Sequence, residues 1–492
     1  MWLVLGHIDS SRSPHRGRQA GPPVAGGDRS PTDSTDVFLV PANLDSKRRQ
    51  LLKWGISAAL GGFVFGYELA VISAALLFVR TEFGLSGFEQ GVLVGVLPLG
   101  AMAGGLLAGR VADQLGRRST LLLAGALFAV GAVLATAAPS FAVLVIARAI
   151  SGVGVGTVSS TSPLYLSEIA PPDVRGRLVT LNQLLVTLGI VSAYTVGLIF
   201  ASSSSWRPMF GVALVPIGAL LVGMLRAPES PAWLDAHGRP EEARQILRQV
   251  AADEEEIERI IDGIRRTREQ QGRRLDVREL LRSAAAPALI TGVALAVIQQ
   301  FSGINAIIAY ASSIMQRTGL GASNSIAYSI AIGAINLVAT VVSIRLVDRI
   351  GRRPLLLFSL AGAGVSLLLL GLTFVVSLGS SGSWLALICL LGYIASFASG
   401  LGPIFWLLIT EIFPPEARAA GASVATATVW FSNFLVGLAF LPIADAIGEG
   451  ATFWIFAAVC VIGFVFVNRY VPETKGRTFS EIDAEVRRRW GR

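Results

Sequence analysis

Gly109-Arg-Val-Ala-Asp-Gln-Leu-Gly-Arg-Arg118 returns in shortened form as Val347-Asp-Arg-Ile-Gly-Arg-Arg353. Two more stretches repeat in the same order. Glu168-Ile-Ala-Pro-Pro-Asp-Val-Arg175 returns as Glu411-Ile-Phe-Pro-Pro-Glu-Ala-Arg418, and Pro228-Glu-Ser-Pro231 as Pro472-Glu-Thr-Lys475. Gly116 to Gly351, Glu168 to Glu411 and Pro228 to Pro472 are each separated by about 240 residues, so the chain reads as two homologous halves. Repeats of this kind, in a membrane, build binding sites at the midplane between two halves that rock against each other.

Between these signatures the chain is apolar. Of 492 residues 53% are hydrophobic and 15% charged, against roughly 25% charged in an ordinary soluble domain. A window of about 19 residues finds twelve runs near the length needed to cross the hydrocarbon. They centre near Val64, Leu99, Phe128, Val155, Gly189, Val215, Ala296, Ile332, Leu367, Ile394, Leu435 and Phe456. The expected fold is an all-α membrane protein with twelve transmembrane helices in two six-helix repeats and a helical insertion between them. The boundaries expected are a disordered tail over 1–50, an amino-terminal bundle over 51–226, a linker over 227–283, a carboxy-terminal bundle over 284–470 and a tail over 471–492. The opening run Met1 to Leu5 is too short for a signal-peptide core. Glu241 to Arg268 is charged and helical in pattern, with Ile246, Leu247, Ile257, Ile260, Ile261 and Ile264 giving a partial apolar stripe.

A net charge of +8 would suggest a nucleic-acid partner in a soluble protein, but here the basic residues gather in the short breaks between spans. The breaks on the side of the amino terminus hold fourteen Lys and Arg, among them Lys47, Arg117 and Arg352, and the opposite side holds Arg80, Arg207 and Arg317. Positive charge resists translocation, which puts both termini and the insertion in the cytoplasm of a cell-membrane protein. Cys389 and Cys460 lie in apolar runs and the three histidines, His7, His15 and His237, outside them, so no metal cage, disulfide framework or cofactor site is expected. Gly152-Val-Gly-Val-Gly156 lacks a preceding strand and reads as close helix packing, not a nucleotide loop. With no nucleophile paired to a base and no Walker sequence, nothing marks an enzyme or an ATP-driven pump.

From Leu51 to Asp483 the chain resembles the sugar porters of the major facilitator superfamily. The Asp-x-x-Gly-Arg-Arg loops are shared widely in that superfamily. The stretch beginning Pro228-Glu-Ser-Pro-Ala-Trp-Leu, Gln299-Gln-Phe-Ser-Gly-Ile-Asn305 and Pro472-Glu-Thr-Lys-Gly-Arg477 are together specific to sugar porters. The resemblance implies alternating-access transport of a hexose, pentose or polyol, as a sugar/proton symporter, with the lipid bilayer as its setting and no obligate protein partner. It further implies that Gln183, Gln299, Gln300, Asn305, Asn336, Trp406 and Trp430 contact the sugar.

The residue types agree. A sugar is a ring of hydroxyls with an apolar face, so its site needs amides that both donate and accept, together with aromatic surfaces. Asn433 lies three residues after Trp430 and shares its helix face, which adds it to the candidates. Ser302-Gly303 can loosen the seventh span, and Gly400, Gly402 and Pro403 can bend the tenth near Trp406. The competing reading of such amides is interhelical glue at about 0.6 kcal/mol each. Two departures from the family pattern, Ala309 before Tyr310 in place of a tyrosine pair and Val429 in place of an amide before Trp430, imply a roomier and less polar pocket.

Glu68 in Phe65-Gly-Tyr-Glu68 and Arg148 are the ionisable residues deep within spans, and each is costly there unless paired. Proton-linked members of the family carry an aspartate at the Glu68 position. Burial favours a neutral carboxyl and a nearby guanidinium favours an ionised one, so a change of surroundings between states can load and release a proton. The resemblance also suggests a cytoplasmic gate in which Asp113, Arg117, Glu168, Arg175 and Glu229 meet Asp348, Arg352, Glu411, Arg418 and Glu473, or pair within each half. A passive uniporter would lack uphill accumulation, and a drug exporter would lack the glutamine pair together with Pro-Glu-Ser-Pro. A sugar sensor is expected to add a long signalling tail beyond Arg477.

Overall fold

The structure, a computed structural model, describes residues 42–491 apart from 252, 271–276, 284 and 377–380, and a few side chains within helices, including that of Asp348, lie outside that set. Among the described residues twelve helices are long and apolar enough to cross a membrane. They are Ser46–Phe83, Gly87–Leu115, Arg117–Thr136, Phe141–Ile169, Val174–Ala201, Arg207–Arg226, Ala286–Arg317, Ala322–Val347, Arg352–Val375, Gly382–Glu411, Glu416–Ile447 and Glu449–Tyr470. Each of the twelve expected centres falls inside one of them. The first helix begins at Ala42, earlier than the expected boundary at residue 50; the rest of the expected tail lies outside the described residues. Because twelve spans alternate in direction, the chain enters the first and leaves the last on one face, here the terminus-side face; the opposite is the far face.

Glycine lets these helices approach closely. A Cβ on Gly156 of the fourth span would sit 1.9 Å from the Ala101 carbonyl of the second, and one on Gly152 would sit 2.2 Å from that of Leu97. The Gly-x-Gly-x-Gly stretch is therefore a helix-packing face, where small residues let backbones meet in the absence of a hydrophobic drive between helices.

Two spans break where expected. The seventh divides into Ala286–Phe301 and Ile304–Arg317 around Gly303, whose φ of 96° belongs to the left-handed region and whose absent Cβ would lie 2.5 Å from the Phe456 ring. The tenth divides into Gly382–Ser399 and Leu401–Glu411 at Gly400. There the Leu401 N–H donates to the Ser359 hydroxyl at 3.0 Å, which satisfies a group that the interrupted ladder releases.

The helical pattern over Glu241 to Arg268 is divided in two. It forms Pro240–Arg248 and Glu254–Gln270. Asp253 starts the second helix by accepting the Glu256 N–H at 2.8 Å, the local bond that draws short polar side chains to helix starts. The break folds the stripe on itself and buries Leu247, Ile257 and Ile261. Lys47 at the entry to the first span donates to the Ala251 carbonyl between the two helices, at 2.7 Å.

Candidate functional site

The seventh-span break assembles three of the expected amides in a line. Asn305 donates to Gln300 at 2.8 Å, Gln300 donates to Gln299 at 3.2 Å, and Gln299 donates to the Leu401 carbonyl at 3.0 Å, just past the tenth-span break. Helices need sharp turns to bring consecutive glutamines and an asparagine five residues on into one chain; Ser302-Gly303 supplies it. The Ser302 hydroxyl closes the turn onto the Gln299 carbonyl at 2.7 Å, and Tyr393 donates to the Ser302 carbonyl at 2.9 Å. Trp406 is one turn beyond Gly402 and is 41% exposed.

Trp430 is buried, packs 5.8 Å from the Phe65 ring across the two halves, and leaves its indole N–H without a partner in the protein. Asn433 is likewise buried with an unpartnered amide nitrogen. Gln183 is exposed and Asn336 half-buried. The fifth-span amide that packs inward is the neighbouring Asn182, which the sequence reading passed over. It accepts from the Ser162 hydroxyl at 2.9 Å and fills the interhelical role.

Glu68 and Arg148 are 1% and 2% exposed and form the expected pair. One Arg148 nitrogen, Nη1, donates to the Glu68 carboxylate at 2.8 Å and to the Glu68 carbonyl at 2.9 Å. Arg148, Asn305 and Asn433 line one small cavity between the halves. The space there open to a water's centre is about 10 Å3, the room of a single water. Arg148 of the ion pair and Asn305 of the amide line thus face one cavity.

At the terminus-side face the repeated signatures interlock, and they do so within each half. Arg117 binds Glu168 at 2.9 Å and Asp113 at 3.2 Å; Arg352 binds Glu411 at 3.1 Å. Glu229 accepts the backbone N–H groups of Arg117 and Arg118 at 2.8 and 3.0 Å, and Glu473 accepts those of Arg352 and Arg353 at 3.0 and 3.1 Å. Each glutamate therefore caps the first turn of a span that begins with no capping side chain of its own. The Ser230 and Thr474 hydroxyls complete the circuits onto Glu168 and Glu411. Arg175 and Arg418 are exposed, and the Asp348 side chain lies outside the described residues.

Burial alone would raise the Glu473 carboxyl, yet donation from the backbone of Lys475, Arg352, Arg353 and Thr474 outweighs it and holds the group below the usual glutamate range. A carboxyl lowered on folding stabilises the fold above its unfolded pKa, and that contribution is lost as pH falls through the lower folded value. In detergent, Glu473→Gln is expected to lower the melting temperature at pH 7 and to shrink the drop between pH 7 and pH 4. An equal drop in variant and wild type would contradict this capping role.

The halves meet at the far face and separate toward the terminus side. A Cβ on Gly91 of the second span would lie 2.2 Å from the Leu438 carbonyl of the eleventh, whereas one on Gly109, deeper along the same span, would meet nothing within 4 Å. Hydrogen bonds described between the halves also lie toward the far face: Ser73 to Ser312, Tyr194 to the Ile308 carbonyl, and Arg80 to Gln316. Exposure of Gln183 and Trp406 fits a cavity reached from the terminus side. Sequence reasoning missed this far-face set.

Residues 54–486 match the family described as sugar (and other) transporter. The glucose transporter GlcP of Staphylococcus epidermidis is 39% identical, over 89% of this chain and 97% of that protein. The galactose-proton symporter of Escherichia coli strain K12 is 36% identical, over 87% of this chain and 93% of that one. Among solved structures, the inward open conformation of the xylose transporter XylE from E. coli aligns over 88% of this chain and 99% of that one, with 30% identity and TM-score 0.78. The same transporter described as a proton:xylose symporter, bound to 6-bromo-6-deoxy-D-glucose, aligns over 89% of this chain and 99% of that one with 29% identity and TM-score 0.72. A match over nearly the whole chain, on twelve helices parted at one face and joined at the other, makes this protein a member of the sugar (and other) transporter family, a membrane carrier of the major facilitator fold and not an enzyme.

Proposed function

We propose that the chain is a monosaccharide/proton symporter of the cell membrane, with its terminus-side face in the cytoplasm and the far face outside. The observation that carries this reading is one cavity lined both by Arg148, which holds Glu68, and by Asn305, which ends the amide line. Relatives named for proton-linked galactose, arabinose and xylose transport support it. Gln183, Gln299, Gln300, Asn305 and Asn336 supply donors and acceptors to sugar hydroxyls. Trp406 and Trp430 supply apolar faces, and the free indole N–H of Trp430 awaits an acceptor. Asn433 stands beside them on the wall with Arg148.

Glu68 is the proton carrier. While ionised it is held by Arg148; once protonated it accepts less strongly from the guanidinium, and the pair loosens. Loading from outside and release toward the cytoplasm make the closing of each face depend on the proton as well as on the sugar, the differential binding that alternating access requires. The two networks of Glu168 and Glu411 are the cytoplasmic gate elements. In the open state seen here each stays within its half, and the exposed Arg175 and Arg418 are left for the opposite half on closure. The pairs that the exposed Arg175 and Arg418 form on closure contribute about 0–1 kcal/mol each, which suits a switch that must run both ways.

Uptake of radiolabelled hexoses, pentoses and polyols into proteoliposomes tests the reading, with and without an inward proton gradient. At least one monosaccharide is expected to accumulate above its external concentration only when the gradient is imposed. Equal final levels with and without the gradient would leave a passive uniporter.

A further inference from the structure

The outer segment of the seventh span is gripped at one point by the opposite half. In Ile304–Arg317 the amide of Ser312 and the carbonyl of Ile308 stand four residues apart, the two ends of one rung of the helical ladder. The Ile308 carbonyl accepts from the Tyr194 hydroxyl of the fifth span at 2.8 Å, and the Ser312 N–H donates to the Ser73 hydroxyl of the first span at 3.0 Å. Two spans of the amino-terminal half thus hold both ends of a single rung in the other half. We propose that Ser73 and Tyr194 are positioning residues that set this segment in its closed pose and thereby fix the balance between far-face-closed and far-face-open states.

Three observations carry the proposal. First, the groups are fully buried: Ser73, Tyr194, Ser312 and Ser329 are each 0% exposed. A polar group in such a place is costly unless bonded, and loss of one partner leaves the other unsatisfied. Second, the hydroxyls run in one direction. Ser73 donates to Ser312 at 3.1 Å, Ser312 lies 3.0 Å from Ser329, and Ser329 donates to the Ser325 carbonyl at 3.0 Å. With Ser312 donating to Ser329, every proton in the line is used, and the eighth span is tied into the same grip. Third, the rung stands a little beyond the left-handed Gly303 hinge, so Ile304–Arg317 can swing as a unit. Asn305 is in the first turn of that unit and donates to Gln300 on the other side of the hinge. The pose that the rung fixes is therefore also the pose that presents Asn305 to the amide line.

In the far-face-open state water reaches these hydroxyls and replaces the lost partners. Their removal consequently weakens the closed state alone. The inference rests on the alternating-access reading above, and its test requires neither a known sugar nor a proton gradient.

The test uses full-length protein in proteoliposomes with Cys389 and Cys460 replaced by alanine. Single cysteines are introduced either at Gly109, where nothing crowds a side chain, or at Ala309, which lines the buried cavity between the halves. Labelling rates are measured with a charged, membrane-impermeant thiol reagent applied to either face. Tyr194→Phe and Ser73→Ala each delete one oxygen and keep the surrounding packing. Each is expected to speed far-face labelling of Ala309→Cys about tenfold and to slow terminus-side labelling of Gly109→Cys, with a larger shift in the double variant. Unchanged rates at both positions would overturn the proposal, as would rates rising together at both, the sign of general loosening. Shifted labelling in the variants of a protein whose wild type moves no sugar would sink the symport reading and leave this inference standing; accumulated sugar with unshifted variants would do the reverse.

Discussion

Glu68→Gln is expected to abolish accumulation driven by a proton gradient while sugar exchange across the same membrane continues. The substitution keeps the shape and a hydrogen-bond acceptor for Arg148, whose Nη1 approaches the carboxylate at 2.8 Å, but removes the carboxyl proposed as the proton carrier. It imitates the protonated state, in which the pair is already loosened, so steps that carry sugar with a neutral residue 68 remain open. Glu68→Ala would confound the experiment. Removing one member of a buried pair leaves an uncompensated charge at a cost of about 3–5 kcal/mol, and Arg148 is 2% exposed. Accumulation in the Glu68→Gln protein at wild-type levels would show that the proton travels elsewhere or not at all.

The second large effect is expected at Gln300, the middle of the amide line. Gln300 accepts from Asn305 and donates to Gln299, so Gln300→Leu removes its proposed contacts with the sugar and unties both neighbours. An unmade hydrogen bond to a buried group costs about 1–3 kcal/mol, and about 1.4 kcal/mol is a factor of ten. Initial uptake is expected to show kcat/KM lowered roughly tenfold to a hundredfold, mainly through KM, with gradient coupling retained. A variant with unchanged KM would assign the amides to helix packing instead.

The architecture was legible because it is written redundantly. Three signatures at one spacing declare two halves, and twelve apolar runs declare the spans. Ser302-Gly303 and Gly400 marked the breaks that do occur, since glycine at a positive φ or at a lost rung leaves a local trace. The site was legible in part, for a different reason. Adjacent amides such as Asn182 and Gln183 point about 100° apart on a helix, and only packing decides which faces a neighbour. The structure gives that place to Asn182. The interlocking of Glu229 and Glu473 with the spans they cap was not legible, because the bonds run from side chains to backbone across more than a hundred residues. Nor was the far-face grip. Ser73, Tyr194 and Ser312 sit singly in apolar helices, where a hydroxyl usually returns to its own helix and carries no motif.

The proposed function comes down to one physical claim: the guanidinium that holds Glu68 and the amide that ends the Gln299–Asn305 line face one cavity between halves joined at the far face. Its most direct test is the pH of a lightly buffered medium around de-energised vesicles that hold the wild-type protein right side out. Addition of a transported monosaccharide is expected to raise the external pH as protons enter with it, and Glu68→Gln vesicles are expected to take in the sugar with no pH change. Sugar entry into wild-type vesicles with the external pH flat would contradict the account.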